Sequence, residues 1–152
     1  MILRILLFLA INFAAIGLGG LFTSKGVPSD WYVNLMKAPW TPPGWVFGAA
    51  WTTIMICLAF YMPYALEKTE SRNVLIIVFA IQWILNVAWS PVFFKFNAVM
   101  PGLIIIIMLT AVVIFMFFYW LPQIKWVSLL LAPYIIWLLI ATSLNAYILV
   151  KN

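Results

Sequence analysis

Residues 31–51 read WYVNLMKAPWTPPGWVFGAAW and hold four of the chain's nine tryptophans and three of its nine prolines. The stretch stands directly before a long uncharged run, so it marks the point where a loop meets a membrane span. Pro42 and Pro43 suit that point, because proline fixes φ and the first amides of a helix have no intrahelical partner to lose. Indole rings suit it too, being apolar bodies with one polar N–H that favour the boundary between hydrocarbon and water.

Outward from this stretch the charge pattern sets the fold class. Of 152 residues, 68% are hydrophobic and 7% charged, whereas soluble domains carry about 25% charged residues. The charges divide the chain into uncharged runs at Ile5–Ser24, Ala38–Leu66, Asn73–Phe94, Phe96–Ile124 and Trp126–Val150, which are 20, 29, 22, 29 and 25 residues long. A helix needs about 20 residues to cross the hydrocarbon, so each run holds one span and none comfortably holds two. The expected fold is all-α, an integral membrane bundle of five transmembrane helices over 4–23, 44–65, 73–94, 99–120 and 127–149. It forms a single domain spanning residues 1–152. The run after Arg4 reaches bilayer length and is read as the first span, not as a cleavable signal peptide.

The net charge of +5 comes from basic residues scattered at span ends, which points to lipid headgroups and away from nucleic acid. Arg4, Lys68, Arg72 and Lys125 fall on one side, against Lys25, Lys37, Lys95 and Lys151 on the other. Four against four sets no orientation and does not identify the membrane. Cys57 is alone within a span, so no intrachain disulfide forms and it reads as a small apolar residue.

Polar and small residues mark the inward faces. Gln82, Asn86 and Ser90 recur every four residues along the third span, a stripe that belongs against protein or a cavity. Pro133, Trp137, Ala141 and Asn145 repeat that spacing in the fifth, and Gly48, Trp51, Thr52 and Met55 share a face of the second. Pro91 and Pro133, inside their spans, each free a carbonyl one turn earlier and are expected to kink them. Gly44 and Gly48 form a GxxxG pair that permits close helix approach. Trp31, Trp40, Trp120 and Trp126 lie near span ends and read as an interfacial belt or rim. Trp51 and Trp137 lie about two turns inside, where a belt explains them poorly.

Histidine is absent, and the only acids, Asp30, Glu67 and Glu70, lie outside the spans. No catalytic triad, carboxylate pair, metal site or cofactor is expected, and no ionisable group stands at membrane depth for ion-coupled transport. The remaining chemistry is a cavity of indole, phenyl, amide and hydroxyl groups, suited to a flat, largely apolar ligand.

Three blocks, WYVNLMKAPWTPPGWVFGAAWT, QWILNVAWSPVFF and PYIIWLLIATSLN, together with the five-span layout, resemble the translocator protein family, also called tryptophan-rich sensory proteins or peripheral-type benzodiazepine receptors. The resemblance implies a five-helix bundle, often a homodimer. Its pocket, near the first loop, takes porphyrins such as protoporphyrin IX, sterols, and isoquinoline or benzodiazepine-like ligands. By matching position, Tyr32, Pro42, Trp51, Asn86, Phe93, Trp137, Ala141 and Leu144 are expected to line it. Leu144, Tyr147 and Lys151 also fit a sterol-contact pattern, although an interfacial tyrosine and lysine have an ordinary explanation. Two departures stand out: the family's Lys-Pro-x-Trp reads Lys37-Ala38-Pro39-Trp40 here, and its Gly-Pro-x-Trp-Thr reads Gly48-Ala49-Ala50-Trp51-Thr52.

The leading function is therefore a membrane translocator or sensor that binds porphyrins and similar hydrophobic molecules. One alternative is a light- and oxygen-dependent porphyrin-degrading enzyme with Trp51 and Trp137 as its catalytic residues. Another is a structural membrane subunit with no ligand.

Overall fold

Hydrocarbon offers the backbone no hydrogen-bond partner, so each uncharged run must close its own bonds and folds as a helix. The computed structural model describes residues 1–152 and contains α1 (Ile2–Gly26), a short α2 (Asp30–Asn34), α3 (Gly44–Lys68), α4 (Arg72–Ser90), α5 (Val99–Ile124) and α6 (Ala132–Lys151). A π-helical turn, Pro91–Lys95, extends α4, and a 3-10 segment, Lys125–Leu131, joins α5 to α6. The five long helices are those expected; α1, α3 and α5 run a few residues farther at their ends, whereas regular α4 stops at Ser90 and α6 starts at Ala132, five residues after the expected 127.

The helices close into a ring in the order α1, α3, α6, α5, α4 and back to α1, with α3 meeting the 3-10 segment more closely than α6 itself. The α1–α2 and α4–α5 connections and the end of α6 share one face, termed the mouth face. The α3–α4 connection and the 3-10 segment lie on the opposite face.

The prolines act differently from one another. Pro43 caps α3 and Pro101 occupies the first turn of α5, both without loss of a helical bond. At Pro91 the expected disturbance takes the form of a π turn, in which Phe96 N–H reaches back to Pro91 O at 3.1 Å. Pro133 overturns the expectation of a kink within the fifth span. The chain reverses at Lys125, whose φ of 49° and ψ of −119° are not helical, and runs as a 3-10 segment before α6 begins at Ala132. Pro133 therefore sits in a first turn, where its missing N–H has no partner to lose. Pro63 and Pro122, inside α3 and α5, were not singled out by the sequence reading.

The half of the ring nearer the opposite face is filled. Leu58, Tyr61, Met62, Val113, Met116, Trp120, Leu131 and Leu138 are fully buried together. Their polar atoms are paired across helices: the Tyr61 hydroxyl donates to Met116 O at 3.3 Å, and the Tyr134 hydroxyl to Gln82 Oε1 at 3.1 Å. On α1 the buried Asn12 donates from Nδ2 to Met55 O at 3.1 Å, and Trp83 Nε1 donates to Ile11 O at 3.0 Å.

Trp120 corrects the belt expectation. Its ring is wholly buried, and Nε1 donates to Thr69 Oγ1 at 3.0 Å and Ser71 Oγ at 3.2 Å. Thr69 in turn donates to Gln123 Oε1 at 2.8 Å. A position near a span end is compatible with lipid exposure, but here the neighbouring connection folds over the ring and supplies acceptors. Trp126 and Trp40, by contrast, are exposed, as a belt requires. Within the bundle the GxxxG pair does not bring helices together, since a Cβ at Gly44 or Gly48 would meet nothing within 4 Å.

Trp120→Phe keeps most of the ring volume but removes a buried indole donor and should cost about 1–2 kcal/mol of stability. Because Trp120 is remote from the cavity described below, thermal denaturation should report that loss while ligand affinity stays at the parental value.

Candidate functional site

The half of the ring nearer the mouth face is hollow. It encloses a cavity of about 750 Å³, within the range of roughly 300–1,000 Å³ typical of small-molecule sites. α1 contributes Ala15, Gly19 and Thr23; α3 contributes Gly48, Trp51, Thr52 and Met55; α4 contributes Asn86 and Ser90. The wall is completed by Phe93 and Phe94 of the π turn, by Ile106 and Leu109 of α5, and by Trp137, Ala141 and Leu144 of α6.

Tyr32, Pro42, Trp51, Asn86, Phe93, Trp137, Ala141 and Leu144, separated by up to 112 positions in sequence, all line this one cavity. Two indoles form its deeper wall. The Trp51 ring meets Tyr134 edge-on at 6.0 Å, and the Trp137 ring meets Phe47 at 5.0 Å and 89°. Gln82, the lowest member of the α4 stripe, lies outside the lining and serves as acceptor for Tyr134, so this pair closes the region beneath.

The polar lining divides into paired and free groups. In the orientation that satisfies both ends of its amide, Asn145 accepts from Trp89 Nε1 at 3.2 Å and donates to Val99 O at 3.1 Å. That buried amide joins α6, α4 and α5. Asn86, half-buried on the wall, has no hydrogen-bond partner in the protein, nor does Thr52. Trp137 Nε1, a buried indole donor on the same wall, is likewise unpaired, so amide, hydroxyl and indole N–H groups are all open to a ligand.

The first loop covers the mouth. Ser29 initiates α2, donating from Oγ to Gly26 O at 2.6 Å and accepting from Tyr32 N at 3.3 Å. A side chain at Gly26 would overlap the Phe94 ring, so glycine permits the close approach of α1 to the π turn. Trp31 and Tyr32 pack on Phe93 with ring centroids at 5.5 and 6.3 Å, and Tyr32 meets Phe94 at 5.4 Å. Phe93 stacks on Trp89 at 5.0 Å and 14°. The π turn thus presents a surface to which the loop adheres. Burial pushes the Tyr32 phenol above its ordinary pKa, which keeps it a proton donor through neutral pH.

At its far end the loop is tied to α6. Asn152 donates from Nδ2 to Met36 O at 3.2 Å and accepts from Met36 N at 2.9 Å, and Trp40 Nε1 donates to Ser143 Oγ at 3.2 Å. Between these ties Ala38 is buried, in the segment where the proline stands one position later than in the family pattern. The other departure has a plain outcome, for α3 runs unbroken through Ala49 and Ala50.

The sterol-contact residues are divided by the fold. Leu144 is buried on the cavity wall, whereas Tyr147 packs against Trp40 at 5.4 Å and Lys151 Nζ lies 6.0 Å from the Tyr147 ring. Sequence reading did not select Asn12, Phe47 or Trp89. Phe47 and Trp89 stand in stretches rich in other aromatic rings, near Trp45 and Trp51 and near Trp83 and Phe93, and only packing distinguishes those that turn inward.

Residues 6–151 match the profile of the TspO/MBR family. The chain is 36% identical over 150 residues to the tryptophan-rich protein TspO of Chlorobaculum tepidum, covering 96% of this chain and 91% of that one. It is 37% identical over 155 residues to the protein of the same description from Archaeoglobus fulgidus, covering 100% and 96%. It is 31% identical over 120 residues to the translocator protein of Homo sapiens, covering 76% and 70%.

The two cavity-side asparagines should separate in their effects on stability. Asn145→Leu breaks two buried bonds and should destabilise the ligand-free protein by about 1–3 kcal/mol. Asn86→Leu breaks none and should stay within about 0.5 kcal/mol of the parent, as thermal denaturation in detergent can measure.

Proposed function

The chain belongs to the TspO/MBR family and is a multi-pass integral membrane protein of the translocator and sensory type, and from that premise we propose that it binds porphyrins in its cavity. Protoporphyrin IX represents that class. Sterols and isoquinoline or benzodiazepine-like molecules are further candidates for the same site. The observation that carries this reading is a hollow of about 750 Å³ walled by Trp51, Trp137, Phe93 and Leu144, in which the Asn86 amide has no protein partner.

The physical fit is direct. A flat conjugated molecule gains apolar burial at roughly 25 cal/mol per Å², and aromatic pairs add about 0.5–1.5 kcal/mol each in edge-on or offset geometry. The unpartnered amide gives such a ligand one directional bond. A purely structural subunit would have no use for a large hollow, because every missing contact weakens packing.

Photochemical loss of bound porphyrin is a second reading, favoured by the two oxidisable indoles on the wall. Phenylalanine replaces much of an indole's stacking but is far harder to oxidise by one electron, so substitution separates binding from chemistry.

Titration of protoporphyrin IX in the dark, followed by tryptophan fluorescence, should give saturable quenching. Ala141→Phe, which fills the space beside Trp137, should weaken binding by at least about tenfold, equivalent to 1.4 kcal/mol. Asn86→Leu should weaken it by about 1–2 kcal/mol. The Trp51→Phe, Trp137→Phe double variant should stay within about tenfold of the parent in the dark. Unsaturable quenching, indifferent to Ala141→Phe, would reject the binding reading. Under light, porphyrin loss by the saturated double variant at the parental rate would reject indole chemistry.

A further inference from the structure

Among the residues that line the cavity, Lys37 is the only one that carries a charge, and no acid joins it. It stands in the first loop, at the mouth, and its side chain is half-buried. Nζ donates to Val33 O at 3.2 Å and, more weakly, to Leu35 O at 3.4 Å, and lies 4.6 Å from the centre of the Tyr32 ring. These contacts hold the ammonium in position yet leave it without a counter-ion, since no carboxylate lies within ion-pair distance. An ammonium has three donors and two are used here. The mouth face as a whole reinforces the sign, with Lys25, Lys37, Lys95 and Lys151 against Asp30 alone.

The deeper wall imposes the complementary restriction. Below the mouth the lining is indole, phenyl, aliphatic, amide and hydroxyl, and an ionised group placed there would lose its hydration without gaining a counter-charge. An anionic group on a ligand is therefore stable at one place only, beside Lys37, with the apolar body directed towards Trp51 and Trp137.

Resting on the porphyrin-binding reading, we propose that Lys37 is a specificity-determining residue and that the cavity prefers flat apolar acids, with a carboxylate at one edge, over neutral molecules of the same shape. The carboxylate pairs with the ammonium at the mouth and sets which edge of the ligand enters last.

The test compares protoporphyrin IX with its dimethyl ester, which has the same ring and no charge, on the full chain in phosphatidylcholine nanodiscs. The acid should bind roughly five- to tenfold more tightly than the ester, between the effects of an exposed ion pair and a buried charge-assisted bond. Lys37→Gln should bring the ratio to about one by weakening the acid alone, while Lys37→Arg should preserve it. Unchanged ester affinity in Lys37→Gln checks that the cavity is intact. Equal binding of acid and ester by the parent, or an undiminished ratio in Lys37→Gln, would overturn the proposal and leave porphyrin binding standing. Loss of the ratio when equimolar phosphatidylglycerol is added would assign the ammonium to lipid headgroups and likewise overturn it. If neither acid nor ester binds, the porphyrin-binding reading fails and this proposal fails with it.

Discussion

Every polar group at membrane depth must find its partner inside the bundle, because hydrocarbon supplies none. The two halves of this protein meet that constraint in opposite ways. Towards the opposite face the large side chains find internal partners, Trp120 with Thr69 and Ser71, Tyr134 with Gln82, Tyr61 with the Met116 carbonyl, and the small Ser128 hydroxyl is left buried without one. The tyrosine bonds each span two helices and the Trp120 bonds tie α5 to the α3–α4 connection, so satisfying the polar atoms also fixes the elements relative to one another. Towards the mouth face, Asn86 and Thr52 are left facing a hollow, which makes that half a place for something else.

The filled half is what allows the other half to stay open. A cavity forfeits dispersion contacts along its whole lining, and an unsupported ring of helices would close upon it. Here the Asn12–Met55 and Trp83–Ile11 bonds brace α1, and Asn145 links α4, α5 and α6 at the level of the hollow. The π turn contributes from above. Without an N–H at Pro91 the helix widens, and Phe93 and Phe94 become a surface on which Trp31 and Tyr32 settle.

The first loop illustrates how a connection that looks irregular is held. Proline limits its conformations, Ser29 starts a single helical turn, and the Asn152 and Trp40 bonds tie it to α6. Its aromatic rings thus have two environments. Trp40 remains exposed at the boundary while Tyr32 turns onto the cavity. The concentration of tryptophan and proline in residues 31–51 serves both the membrane interface and the cover of the hollow.

The sequence by itself determined the five spans, because uncharged length against membrane thickness leaves no other division. It also determined the inward faces of α3, α4 and α6, since residues four apart must share a side of a helix. The resemblance brought Tyr32 and Phe93, which no periodicity selects, into the set of eight residues that line one cavity. Only the tertiary structure decided the depth of each tryptophan: Trp120 and Trp126 look alike near span ends, yet one is sealed beneath the α3–α4 connection and the other is exposed at 81%. Only it decided that Pro133 begins a helix and does not bend one, because the reversal at Lys125 depends on where α5 stops against its neighbours. The fates of Asn86 and Asn145 differ for the same reason. Hydrogen-bond satisfaction depends on what the facing helix presents, and that is settled by the packing of the whole ring.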